Sequence, residues 1–285
     1  MKNSRRIFLK NAGTGVLGLG LTSSLYPLTT LGSQSQKTVK DTYLFKIGMA
    51  GYPFIKFKID PSLEMIERVD VHYLSIKDFH LPLDSTVEQI AEFHKKLKEK
   101  GVAGYAVGPI NLRNESQVDR AFEYAKSVGV KMIVGVPSFL MLPYLDKKVK
   151  EYNISFAVHN HGPDDKLYPS LTSIYEKIKN LDSGIGMCHD IGYTTMLGLD
   201  PAAETIKYAD RIYDVHLRDV TSATPEGKDC ELGRGVIDFP SYVKALRKTK
   251  YKGMCSIEYE KVLEDPLAGI AESIGYIKGI MDALS

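Results

Sequence analysis

The chain has 285 residues, 44% of them hydrophobic and 25% charged, with 37 basic and 35 acidic side chains. That is an ordinary globular composition, long enough for one sizeable core. The near-cancelling charge leaves no electrostatic footprint for nucleic acid or for an acidic membrane surface. Three cysteines, Cys188, Cys230 and Cys255, have no spacing that suits a disulfide framework or a Cys-x-x-Cys metal site. They read as small buried residues plus one loop thiol.

Residues 1–33 read as a targeting segment. MKNSRRIFLK carries the consecutive pair Arg5-Arg6, and a weakly apolar stretch rich in Gly, Leu and Thr follows from Ala12 to Leu31. This resembles a twin-arginine export signal, which carries folded proteins to the periplasm. No stable membrane insertion is expected once such a signal is removed. Within it, Gly13 to Gly18 fits G-x-G-x-x-G, but no strand precedes it, so it is rejected as a dinucleotide fingerprint.

From about residue 40 one pattern repeats: a short apolar run ending in Gly or polar residues, then an amphipathic helical stretch. The runs are YLFKIGMAG (43–51), VDVHYLSIKD (69–78), GVAGYAVGP (101–109), GVKMIVGVP (129–137), NISFAVHNHG (153–162), GIGMCHDIG (184–192), RIYDVHLRD (211–219) and GMCSIEYE (253–260). The stretch after the fourth run, SFLMLPYLDKKVKEY, is short and holds a proline. Strands alternating with helices argue for parallel βαβ units. Eight such units without a composition break predict a single (β/α)8 TIM barrel over 40–285. A doubly wound sheet would show fewer strands and an early phosphate loop.

The active site of such a barrel lies at the C-terminal ends of its strands. The fifth run ends in His159-Asn160-His161, the sixth in His189-Asp190, and the seventh carries His216, Arg218 and Asp219. The eighth carries Glu258 and Glu260. Period-two alternation assigns inward positions. His159 and His161 share a face, Asp190 shares one with Cys188 and leaves His189 opposite, His216 pairs with Arg218, and Ser256 pairs with Glu258 and Glu260. One inward group per strand gives His159, Asp190, His216 and Glu258. This mixed N/O set suits one divalent ion of Mn, Co, Zn, Fe or Mg better than a thiolate-preferring ion. Lys77 points inward on the second strand, His80 follows in its loop, and Arg234 sits between two glycines in ELGRGVIDF. Each is either a substrate contact or an ordinary rim residue.

The pieces HNHG, HDIGY, DVHLRD, GRGVIDF and SIEYE occur in this order from about Phe45 to the end. Together they resemble the xylose-isomerase-like barrel superfamily of sugar isomerases and epimerases. The resemblance implies one divalent metal held by residues of strands five to eight, here His159, Asp190, His216 and Glu258. His159 stands where the family usually has glutamate, and Tyr193 where many relatives have histidine. The HNHG form is similar to that of relatives that eliminate the C1 substituent of 3-keto sugars or hydrate the resulting enone. The implied chemistry is removal of the proton next to a sugar carbonyl, with Glu258 or His161 as base and Lys77 or Arg234 holding the developing oxyanion. Tyr193, His80, Arg218 and Arg234 are the expected substrate contacts.

The expected partner is a small-molecule sugar. The preferred outcome is elimination or hydration of a 3-keto-glucoside or 3-keto-glucal. Alternatives are a ketose epimerase or aldose–ketose isomerase, and a non-catalytic sugar-binding barrel. Metal-dependent phosphodiester cleavage, which the same superfamily contains, is disfavoured by the near-zero net charge and the export signal. A homo-oligomer stays open.

Overall fold

The eight apolar runs become the eight parallel strands of a closed barrel in the computed structural model, which describes residues 45–285. The expected export signal, residues 1–33, lies outside the described residues. The barrel strands are β1 (Lys46–Met49), β2 (Tyr73–Ile76), β3 (Ala103–Leu112), β4 (Met132–Pro137), β5 (Ser155–His159), β6 (Ile185–Asp190), β7 (Ile212–Leu217) and β10 (Met254–Ile257). They neighbour one another in chain order, and β10 closes the ring on β1 through the pairs Lys46–Met254 to Met49–Ile257. Two further short strands, β8 (Asp219–Val220) and β9 (Asp229–Cys230), make an antiparallel hairpin in the segment after β7. No pattern in the sequence marks that hairpin, because two-residue strands carry no periodicity.

Each strand shows two faces. Leu74 and Ile76 of β2, Phe156 and Val158 of β5, Met187 of β6, Val215 and Leu217 of β7 and Ile257 of β10 belong to the main core between barrel and helices. Full burial of one such side chain stabilises by ~1.5–3 kcal/mol. The opposite face supplies a second, inner cluster of small residues: Ala106, Val134, Ala157 and Cys188. Small side chains suit this face, which converges on the barrel axis. Because all eight strands are parallel, their C-terminal ends share one rim, and alternation delivers every second side chain to its interior.

The helices begin where local chemistry starts them. Thr86 forms a capping box on α2 (Val87–Glu99), and Ser170 forms one on α5 (Leu171–Ile178). Asn114, Asp200 and Asp238 cap α3 (Glu115–Val128), α7 (Pro201–Lys207) and α8 (Phe239–Lys248). Each cap satisfies an orphan N–H, worth ~1 kcal/mol. The proline-bearing stretch after β4 folds as a 3-10 turn at Phe139–Met141 followed by α4 (Leu142–Tyr152). Pro143 falls in the first turn of α4, where its missing N–H leaves no bond unmade. Helices α1 (Ile59–Arg68), α6 (Ile191–Met196) and α9 (Leu267–Leu284) complete the shell. Among the described residues no helix is long and apolar enough to cross a membrane.

Candidate functional site

The rim of β5, β6, β7 and β10 gathers the imidazoles and carboxylates that alternation assigned to the interior. His159 Nε2 lies 3.1 Å from His216 Nδ1. Glu258 Oε2 is 3.3 Å from the same His216 nitrogen, and Asp190 Oδ2 is 4.0 Å from His159 Nε2. All four residues are buried, none more than 6% exposed. His189, the opposite-face residue of β6, turns outward instead, with its ring nitrogens on Thr194 and Thr205.

Burial disfavours charge throughout this cluster. It drives His159 and His216 well below the ordinary imidazole value, helped by neighbouring histidines and by Lys77 and Arg218. Both rings are therefore neutral, the form that donates a lone pair. Burial raises Asp190 and Glu258, while Arg218 opposes this at both carboxylates and Lys77 at Glu258. Glu258 Oε2 and His216 Nε2 are buried without a hydrogen-bond partner. Donors around an ion at ~2.0–2.2 Å stand roughly 3 Å apart, which is the spacing of the central pair. Neutral imidazoles, ionisable carboxylates and an orphaned carboxylate oxygen fit a divalent cation. Lys77, buried and lowered by desolvation, has the charge of Glu258 as its strongest compensation. Its stem runs past Gly51 (φ 88°), where a Cβ would stand 2.9 Å from Lys77 Cγ.

A second donor set overlaps the first. One ligand atom each from His159, Cys188 and His216 lie within 4.8 Å of one another, a group able to hold a metal ion. Cys188 sits one inward position deeper than Asp190 on β6. Its thiol faces Asp214 Oδ2 at 3.8 Å, and burial pushes it well above the usual thiol value. A thiol that resists ionisation is a poor ligand beside two carboxylates at the rim.

Arg218 organises the other side of the cluster. Its Nε donates to Asp190 Oδ2 at 3.0 Å and its Nη2 to Glu260, while Asp229 and Glu258 stand within 4.0 Å. Burial works against the guanidinium charge, but these carboxylates outweigh it and hold the group protonated. Its Cζ stacks 4.8 Å from the Tyr193 ring centroid. Asp190 serves twice: Oδ2 takes Arg218 while Oδ1 accepts the Tyr193 N–H and caps α6. Asn160, facing away from the histidines, locks the β5 and β6 ends together by accepting from the Asp190 N–H at 2.8 Å and donating to its carbonyl at 3.1 Å.

Of the expected residues, His159, His161, Asp190, Tyr193, His216, Arg218 and Glu258 come together, and Lys77 joins them electrostatically. His161 meets His159 edge to face with centroids 4.4 Å apart and lies 6.0 Å from the Tyr193 ring. Gly162 permits this, since a Cβ there would meet Tyr193 Cδ1 at 2.7 Å. Two expected contacts are engaged elsewhere. His80 Nε2 bonds the Phe57 carbonyl at 3.1 Å and the Ser62 hydroxyl at 3.2 Å. Arg234 makes a two-pronged pair with Glu272 on α9, and neither of its recorded partners is a cluster residue.

Two carboxylates, Asp229 and Asp214, escaped the sequence reading, and a third, Asp219, was noted there without a role. Asp219 accepts N–H groups from Val220, Gly233, Gly235 and Ile237, and so clasps the GRGVIDF loop. Asp229, brought in by the hairpin, is pushed up to about 7 by burial. Asp214, also pushed up to about 7 by burial, lies inward beneath His216. The alternation that found His216 and Arg218 points equally to Asp214; nothing local points to Asp229.

The model of the xylose isomerase-like TIM barrel family matches residues 50–280. The rhizopine catabolism protein MocC of Rhizobium meliloti is 26% identical over 170 residues, 49% of this chain and 50% of that protein, so the chain spans about half the length of this curated relative. Among solved structures, 3-keto-D-glucoside 4-epimerase of E. coli superposes with a TM-score of 0.68 at 18% identity, covering 82% of this chain and 99% of that one. The zinc-bound IOLI protein gives 0.68 at 18% identity, covering 83% and 96%. With a closed eight-stranded barrel and a family match over most of its length, the chain belongs to the xylose isomerase-like TIM barrel family.

Proposed function

We propose that this chain is a divalent-metal-dependent enzyme that removes the proton next to the carbonyl of a keto-sugar. The observation that carries the reading is the facing pair His159 Nε2 and His216 Nδ1, 3.1 Å apart and flanked by the Asp190 and Glu258 carboxylates. Charge balance supports it. Five carboxylates (Asp190, Asp214, Asp229, Glu258 and Glu260) crowd this end of the barrel against two cations, Lys77 and Arg218. Such an excess in a desolvated site favours a bound cation. His159, Asp190, His216 and Glu258 would hold the metal, which would supply Lewis acidity to the substrate carbonyl.

The chain's own groups then divide the work. Glu258 or His161 takes the proton; both have burial-shifted basicity and both edge the cluster. Lys77, desolvated and opposite Glu258, holds the oxygen on which negative charge grows. Arg218 fixes Asp190 and, with Tyr193, walls the sugar. General acid–base assistance of this kind contributes ~10²–10⁴ in rate. We prefer elimination or hydration of a 3-keto-glucoside, because an imidazole replaces the family's usual glutamate at position 159 and leaves Glu258 as the one glutamate in the proposed ligand set. The relative that is a 3-keto-D-glucoside 4-epimerase supports the keto-sugar class and keeps ketose epimerisation as the second reading. Residues 1–33 would direct the enzyme to the periplasm.

The test is proton NMR in D₂O with metal-loaded protein and a panel of ketoses and 3-keto-glycosides. Deuterium entering next to the carbonyl, or an enone with released aglycone, is expected. Tight sugar binding with no exchange for any of the five metals would overturn the enzymatic reading in favour of a binding barrel.

A further inference from the structure

His216 presents its two ring nitrogens to different worlds. Nδ1 faces the rim, with His159 Nε2 at 3.1 Å and Glu258 Oε2 at 3.3 Å. Nε2 faces down the barrel, buried and without a hydrogen-bond partner, and the carboxylate beneath it is Asp214, with Oδ2 3.7 Å away. A neutral imidazole carries one proton, on one nitrogen or the other. If Nδ1 is to offer a lone pair to the rim, Nε2 must carry that proton, and it needs an acceptor below.

Asp214 is built to be that acceptor. It is 0% exposed, two residues before His216 on β7, on the same inward face. The Tyr105 hydroxyl lies 3.3 and 3.2 Å from its two oxygens and 2.6 Å from Ser256 Oγ. The Cys188 thiol approaches Oδ2 at 3.8 Å. So β3 and β6 brace this carboxylate from inside the barrel, and Ser256 of β10 holds the Tyr105 hydroxyl. None of these groups reaches the rim, and the proton-transfer scheme above uses none of them.

We propose that Asp214 is a positioning residue that selects the Nε2–H tautomer of His216 and thereby turns Nδ1 into the rim donor. The pair stands at 3.7 Å, and His216 Nε2 has no other hydrogen-bond partner. Tyr105 and Ser256 hold Asp214 so that its lone pair stays under the ring. Carboxylate–histidine pairs of this kind raise ligand basicity and fix ring orientation, and their loss typically lowers metal affinity 10–100-fold. The proposal rests on the metal reading of the rim.

The direct test is ¹⁵N NMR of the imidazoles in metal-free protein, with His216 assigned by comparison with His216→Gln. An Nε2–H tautomer is expected; an Nδ1–H tautomer overturns the proposal without any variant having to fold. Affinity for Zn²⁺ or Co²⁺, read by competition with a chromogenic chelator, is expected to fall 10–100-fold in Asp214→Asn. It should fall several-fold in Tyr105→Phe, which keeps the shape but frees the carboxylate. Wild-type protein that binds neither ion overturns the metal reading. Wild-type protein that binds while both variants bind equally well overturns the role of Asp214 alone.

Discussion

The two halves of the barrel rim differ sharply in what they carry. The arc of β5, β6, β7 and β10 brings His159, Asp190, His216, Arg218 and Glu258 to one cluster, all buried. The arc of β1 to β4 contributes Lys77 and otherwise ends in residues such as Ala50, Leu112 and Pro137. The scaffold is the same in both arcs, since every strand is parallel and every second side chain points in. The chemistry thus comes from which residues occupy equivalent rungs. A single cation from the poor arc faces the carboxylates of the rich one, as the proposed proton removal requires.

The largest expected effect breaks the rich arc at its centre. His159→Ala removes one of the two facing nitrogens, and most bound metal should be lost, measured by elemental analysis after desalting. Full retention would sink the assignment of His159 as a ligand. Next in size is Arg218→Met. It leaves Asp190 and Glu260 without their guanidinium, and breaking a buried pair from one side costs ~3–5 kcal/mol. A loss near that size in urea unfolding is expected; a loss under ~1 kcal/mol would mean these carboxylates are protonated or find other partners.

The hairpin after β7 provides a sharper probe through pH. Burial raises Asp229 to about 7, above the ordinary value of 3.8. Such a group favours the folded state while protonated, and its contribution fades as pH rises from ~4 through ~7. Asp229→Asn keeps an acceptor for the Glu260 N–H yet cannot ionise. Its stability between pH 4 and 7 should therefore fall less steeply than that of the wild type. The difference should amount to a few kcal/mol at most, at ~1.4 kcal/mol per pKa unit. An unchanged slope in a pH series of thermal melts would refute the shift.

These contrasts mark how far the sequence could be read. The eight strands and the inward assignments of His159, Asp190, His216 and Glu258 were legible, because alternation and strand-end position are local properties that parallel closure preserves. Burial was not legible: nothing in VHLRD states that Arg218 is enclosed by four carboxylates from three other elements. Asp229 depends on a hairpin with two-residue strands, and Asp219 looks like any strand-end acid until the loop folds onto it. His80 and Arg234 show the converse. Loop residues have no alternation to orient them, and each took a partner outside the cluster.

The smallest effect is expected at Arg234, and it tests whether the GRG loop serves substrate or only structure. The loop is held by Asp219 through three of its backbone N–H groups, with no need of the arginine side chain. Arg234 itself is 61% exposed at the side chain and pairs with Glu272 of α9, itself 42% exposed. Exposed pairs contribute ~0–1 kcal/mol, because water screens the charges and ordering two long side chains offsets the attraction. Arg234→Ala should thus shift stability by under ~1 kcal/mol, with the loss shrinking in high salt. Once a turnover assay exists, KM and kcat should both stay within about twofold of wild type. A large rise in KM with stability unchanged would mean that Arg234 leaves Glu272 to meet the sugar, and the working site would then extend from the β5–β10 arc across the GRG loop to α9.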